Sequence, residues 1–146
     1  MTVNIVKLCV GVDAIEDLAR WQRERLRTTK RETGRPFLYH TTRMVPRRQD
    51  DVLDGGSIYW VIRGVIQVRQ RIVAFEDGQK ADGTKCCLLI LDPELVPVRP
   101  TPRRAFQGWR YLEPDDAPKD IDGTESGDYA DMPPKMRREL AELCLL

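Results

Sequence analysis

The stretch SIYWVIRGVIQVRQRIVAF, residues 57–75, most constrains the fold, because its β-branched and aromatic residues are interrupted at Gly64. A glycine following Arg63 inside such a run predicts a hairpin with a two-residue turn. The two strands should span about 57–63 and 65–75. Period-two alternation then puts one apolar set on a single face of the second strand: Ile66, Val68, Ile72 and Ala74, together with Gln70.

The other face of the second strand is polar at its middle, where it carries Gln67, Arg69 and Arg71. In a two-residue turn Trp60 opposes Gln67, and Arg69 lies diagonal to it. An aromatic plane beside an amide and a guanidinium predicts a site for a nucleobase and its phosphate. The alternative is that Trp60 belongs to the core and that the arginines pair with acids such as Asp50, Asp51 or Asp54. A bulge at Gly64 moves Trp60 to the opposite face.

The remaining periodicities predict an α+β domain with five to seven mostly antiparallel strands. The sheet should be small and curved, or a partly closed β-barrel, with a long early helix and a short C-terminal helix. The long helix should begin at a D-x-x-E capping box formed by Asp13 and Glu16. Its apolar stripe should contain Ile15, Leu18, Ala19, Trp21, Gln22 and Leu26. Further strands are expected near 2–10, 37–44, 86–91 and 94–99, with a short helix near 47–53.

Charge is unevenly distributed along the 146 residues, although the net charge is only +1. Residues 20–73 hold 13 Lys/Arg against 5 Asp/Glu, whereas residues 113–146 hold 4 against 10. This asymmetry is typical of a body that binds polyanions and carries an acidic tail. We therefore expect one domain over 1–112, an acidic Pro/Gly-rich arm over 113–134 and a helix over 135–146. The alternative is that both charged regions only keep the fold soluble.

Composition favours a cytoplasmic protein. With 41% hydrophobic residues the chain can bury a core without a disulfide or a metal. It contains no run of 18 apolar residues, so we expect no membrane partner. The spacing of its four cysteines fits no zinc motif, and they are expected as small buried residues in a reducing compartment. We expect no cofactor and no metal.

Two further segments combine basic and other nucleic-acid-binding residues: RMVPRR at 43–48 and RRAFQGWRYL at 103–112. Together with the hairpin they define the candidate interface for RNA or a nucleotide. In it, Trp60 and Trp109 would stack on a base, and Gln67 or Gln107 would read its edge. The basic residues would contact phosphate: Arg43, Arg47, Arg48, Arg63, Arg69, Arg71 and Arg104.

Two other classes of function stay open. An enzyme acting on a nucleotide or modified base would use His40, the single histidine, with Thr41 or Thr42. However, no nucleophile motif, phosphate loop or metal-binding motif accompanies it. A protein-interaction adaptor would dock a partner through the acidic arm or the C-terminal helix.

Four segments together resemble a family of small uncharacterised proteins common in alphaproteobacteria: KLCVGVD, DGGSIYWVIRGVIQVRQRI, LILDPELV and FQGWRYL. The resemblance spans about residues 3–113 and implies no particular activity. A looser similarity in the order of elements is to PUA-like domains, including the ASCH and EVE groups. These are small β-barrels associated with RNA and modified bases, so the similarity implies a barrel and an RNA-related ligand.

Overall fold

The computed structural model of the protein describes residues 1–121. Within them the chain forms seven strands and two α-helices, with a turn of 3-10 helix at Pro114–Asp116. In chain order the elements are β1 (Asn4–Leu8), α1 (Ile15–Thr33), β2 (Leu38–Thr42), α2 (Gln49–Leu53), β3 (Ser57–Ile62), β4 (Val65–Gln79), β5 (Lys85–Leu91), β6 (Val96–Pro102) and β7 (Trp109–Leu112). The helix expected over 135–146 lies outside the described residues.

The strands form one sheet in the order β2-β5-β4-β3-β1-β7, with β6 also paired to β4. β1 and β3 are parallel, and the other pairs are antiparallel. β6 pairs with the first part of β4, from Val65 to Arg69, and β5 pairs with the later part, from Ile72 to Gln79. The prediction of an α+β fold with a mostly antiparallel sheet is confirmed. The described sheet is not closed into a barrel.

The β3–β4 hairpin has the predicted two-residue turn, in which Arg63 (φ 51°) and Gly64 (φ 77°) are both left-handed. Ile62 opposes Val65 as expected. Val61 opposes Ile66 in the same register, but beyond that pair the predicted register is wrong, because Trp60 opposes Val68 and not Gln67. Gln67 is an extra residue in β4, and its Nε2 donates to the Ile62 carbonyl at 3.0 Å. This bulge shifts every later pairing by one residue.

The bulge also turns Ile66 and Val68 to opposite faces of the sheet, so the prediction that they share one face is wrong. Val68 lies in the larger core cluster, which also contains Leu18 of α1. Ile66 lies in a smaller cluster on the other face, with Val6 and Val98. The sheet is therefore buried on both sides at its centre.

Helix α1 begins one residue later than a capping box requires. Its N-cap is Ala14, which has no side-chain hydrogen bond, so the predicted cap at Asp13 is wrong. The helix ends at Gly34 (φ 82°), whose N–H donates to the Lys30 carbonyl at 2.8 Å. Trp21, expected on the apolar stripe, is 48% exposed.

Residues 113–121, here called the strap, lie against β6. The Arg99 N–H donates to the Lys119 carbonyl at 2.9 Å, and the Ile121 N–H donates to the Pro97 carbonyl at 3.1 Å. The beginning of the acidic arm is thus hydrogen-bonded along the sheet, and 122–134 lie outside the described residues. No helix within 1–121 is long and apolar enough to span a bilayer.

Candidate nucleic-acid interface

The two arginine-rich segments, more than 50 residues apart in the chain, meet at Tyr111 of β7. The Tyr111 hydroxyl accepts hydrogen bonds from the backbone N–H groups of Arg47 (2.8 Å) and Arg48 (3.0 Å). A second link is formed by Trp109, whose indole N–H donates to the Met44 carbonyl at 3.2 Å. These contacts fix the loop between β2 and α2 beside the edge strand β7. The two segments are therefore in direct contact at Trp109 and Tyr111.

A groove of about 550 Å³ opens beside this junction. The Cζ atoms of Arg103 and Arg110 lie 5.4 and 5.5 Å from the centre of the Phe106 ring. Arg110 is held in place because its Nη1 donates to the carbonyls of Gln107 (2.7 Å) and Trp109 (2.9 Å). We call this surface the arginine groove; it is lined by Pro102, Arg103, Arg104, Ala105, Phe106, Arg110 and Tyr111.

The basic side chains of the candidate interface fall into two groups. One group forms no ion pair with any acid among residues 1–121: Arg43, Arg47, Arg71, Arg103, Arg104 and Arg110. The other group is paired. Arg48 contacts Asp51 and Glu113, both at 3.0 Å. Arg63 contacts Asp13 at 3.2 Å, and Arg69 contacts Asp120 at 2.6 Å.

Two of the predicted site residues, Trp60 and Trp109, lie in the larger core cluster, at 3% and 7% exposure. Neither ring is open to stack on a base here. Gln67 is half-buried and its amide is used in the bulge. Gln107 is exposed, as are Arg43, Arg47, Arg63, Arg71 and Arg104.

The aromatic surface of the groove is provided by Phe106 and Tyr111, which were not among the predicted site residues. The signal for them was already present in RRAFQGWRYL, where arginines and aromatics are interleaved. Alternation along β7 separates the roles, because Trp109 packs in the core while the neighbouring Arg110 is exposed.

His40 lies outside this groove and is half-buried. Its ring meets Trp60 edge-on at 5.1 Å between centroids, and its buried Nε2 has no hydrogen-bond partner among the described residues. Burial, with the nearby cations Lys7 and Arg25, lowers the pKa of His40 to about 4. His40 therefore packs against the core residue Trp60, and neither lines the arginine groove.

Comparison with protein families gives one finding. The model of a family described as a protein of unknown function, DUF1489, matches residues 5–146. The chain belongs to the DUF1489 family. Neither the curated proteins nor the solved structures give a significant match to it. The whole arginine groove of this DUF1489 chain lies inside the matched range.

The lowered pKa of His40 predicts how the stability of the DUF1489 chain depends on pH. The unfolded chain takes up the proton near pH 6.5 and the folded chain only near 4, so folding stability is complete above 6.5 and falls as the pH drops to 4. The expected loss is about 3 kcal/mol, since one pKa unit corresponds to about 1.4 kcal/mol. The carboxyls of Asp51, Asp82 and Asp120 have lowered pKa values, so the stability that they contribute begins to be lost only at the acid end of this window.

Urea unfolding at several pH values, with and without His40→Phe, measures this effect. The variant should lose the decline between pH 6.5 and 4. Because His40 is the single histidine, its imidazole signals in an NMR titration are unambiguous. An imidazole that titrates near 6.5 in the folded protein would contradict the prediction.

Proposed function

We propose that this protein binds single-stranded nucleic acid, and RNA in preference to duplex DNA, at the arginine groove. The observation that carries the proposal is the meeting of the two arginine-rich segments at Tyr111. Six arginines of this domain form no ion pair with an acid among residues 1–121, and five of the six are exposed, Arg103 being half-buried. A polyanion supplies the missing counter-charge.

The groove offers the two kinds of contact that single-strand binding needs. Arg103, Arg104 and Arg110 supply charge for phosphates, and Arg43 and Arg47 extend it along the loop. Phe106 and Tyr111 supply aromatic surface for a base, which contributes about 1–3 kcal/mol per stacked base in such proteins. Gln107, which is exposed next to Phe106, would hydrogen-bond a base edge.

The paired arginines have a secondary role in this proposal. Arg48 and Arg63 are held by acids at the surface, and such pairs are weak enough for a phosphate to compete. Arg71 is exposed on β4 and stays a candidate phosphate contact. Arg69 is the most enclosed of the set and is considered separately below.

RNA is favoured over duplex DNA because stacking needs unpaired bases, which RNA loops and ends present. We place the activity in the cytoplasm. Cys9, Cys86 and Cys87 are free thiols, and free thiols persist in a reducing compartment.

The proposal predicts that the groove arginines matter more than arginines elsewhere. The variant Arg103→Gln/Arg104→Gln/Arg110→Gln should bind a labelled single-stranded RNA pool at least about tenfold more weakly, as expected for the loss of three phosphate contacts. Fluorescence anisotropy at one fixed salt concentration measures the change in Kd.

The matched control is Arg23→Gln/Arg31→Gln/Arg35→Gln, which removes the same charge from exposed positions on and after α1. It should change Kd by no more than about twofold, because distant exposed charges are screened. Circular dichroism checks that both variants are folded. Equal losses of RNA affinity in the two variants would show that binding depends on overall charge, and would contradict the assignment of RNA binding to the arginine groove.

A further inference from the structure

A second cleft, of about 390 Å³, lies between the strap and the Ser57 end of β3. Its volume is within the range of small-molecule sites. We call it the strap cleft; it is lined by Thr2, Asn4, Gly55, Ser57, Tyr59, Arg69, Pro114, Ala117, Pro118, Lys119 and Asp120. It shares no residue with the arginine groove.

Arg69 dominates the chemistry of the strap cleft. Its side chain is 24% exposed, and its Nε and Nη2 both donate to the Asp120 carboxylate at 2.6 Å. A third bond, from Nη1 to Ser57 Oγ at 3.1 Å, fixes the far side of the guanidinium. This bidentate geometry is the one by which arginine binds a carboxylate or a phosphate. Asp120 thus occupies the position of an oxyanion.

The other polar groups around Arg69 are mostly hydrogen-bond donors. The Ser57 oxygen accepts from Arg69, which leaves its hydroxyl proton to donate. Asn4 uses its Oδ1 to accept from the Ser57 N–H at 2.9 Å, and its amide protons have no acceptor among residues 1–121. The Tyr59 hydroxyl likewise has no hydrogen-bond partner in that part of the chain, and Lys119 adds a cation. A donor-rich cleft of this kind is suited to an anion.

We infer that the strap cleft binds a small phosphate monoester on Arg69, Ser57 and Tyr59, and that the Asp120 carboxylate fills the phosphate position in the free protein. Binding turns Asp120 outward, which its 42% exposure permits. The strap itself stays in place through its backbone hydrogen bonds to β6. The phosphate belongs either to a free mononucleotide or to the 5′ end of an RNA. The inference does not depend on the arginine groove.

The test is isothermal titration of inorganic phosphate into the wild type and into Asp120→Asn. Removing the competing carboxylate should tighten phosphate binding at least about tenfold, since juxtaposed like charges cost several kcal/mol. Glu113→Gln makes the same change of charge on a strap residue that does not line the cleft, and it should leave the affinity at the wild-type value. The double variant Arg69→Gln/Asp120→Asn should lose the gain.

Two ligand arms identify the source of the phosphate in Asp120→Asn. A preference for a 5′-mononucleotide over its nucleoside points to a free nucleotide, and a preference for 5′-phosphorylated over 5′-hydroxyl RNA points to an RNA end. Two results would overturn the inference. In one, Asp120→Asn binds phosphate no more tightly than Glu113→Gln; in the other, the gain in phosphate affinity remains when Arg69→Gln is added. Neither result affects the arginine-groove experiment, whose variants leave the strap cleft intact.

Discussion

Replacing Gln70 with alanine is expected to lower the free energy of unfolding by about 3–5 kcal/mol. Gln70 is completely buried in the middle of β4. Its Oε1 accepts from Gln22 Nε2 at 2.7 Å and from the Trp60 indole N–H at 2.8 Å. Its Nε2 donates to Gln22 Oε1 at 2.9 Å and to the Asp92 carbonyl at 3.1 Å. Alanine leaves all four groups without their partner and adds a cavity.

Urea unfolding measures this loss. The matched control is Gln79→Ala, the same substitution at an exposed position of the same strand, which should change stability by less than about 0.5 kcal/mol. Gln22→Ala should be strongly non-additive with Gln70→Ala, because the two amides share two hydrogen bonds. A loss below about 1 kcal/mol for Gln70→Ala, the size of one ordinary hydrogen bond, would show that the network does not hold α1 to the sheet.

Gly56→Ala is the second substitution with a large expected effect. A Cβ at Gly56 would overlap the Val3 carbonyl oxygen and lie 2.5 Å from the Val52 carbonyl oxygen. Neither oxygen can move easily, because both belong to backbone that hydrogen bonds hold in place. The Gly56 N–H donates to Val52 at 2.7 Å, and the Val3 N–H donates to the Asp51 carbonyl at 3.2 Å. We expect a loss of about 3 kcal/mol or more.

The neighbouring Gly55 provides the control for Gly56. It has φ 87° and open space around the missing Cβ, so Gly55→Ala carries only the strain of a left-handed residue, about 1–2 kcal/mol. Thermal unfolding of the two variants side by side measures the difference. Equal melting temperatures would contradict the prediction, because they would mean that the backbone at Val3 and Val52 moves enough to accommodate a methyl group at Gly56.

The order of the elements could be predicted from the sequence because local signals determine it. Gly64 and the flanking β-branched residues indicate the hairpin, and Gly34 indicates the end of α1. The register of β3 against β4 could not be predicted from the sequence. The bulge at Gln67 depends on a side-chain hydrogen bond to the Ile62 carbonyl and on pairing with β6 at the other edge of β4. That one residue determines which side chains of β4 lie on the same face as Trp60.

The candidate site was predictable in part for a related reason. The interleaved arginines and aromatics of 103–112 identified the segment that forms the groove. Which arginines have acidic partners was not visible, because Asp120 is 51 positions from Arg69 and Glu113 is 65 from Arg48. Proximity at such separations is set by the fold. Of the acids considered as partners of the hairpin arginines, Asp51 pairs instead with Arg48 at 3.0 Å, and Asp50 and Asp54 form no ion pair with an arginine among the described residues.

The most direct measurement of RNA binding at the arginine groove is the slope of log Kd against log salt concentration, for the wild type and for Arg103→Gln/Arg104→Gln/Arg110→Gln. Each phosphate contact contributes about 0.7 to the slope for single strands, so the variant should be shallower by about 2. A wild type that binds no RNA at low salt, or a variant whose slope equals that of the wild type, would contradict the proposal.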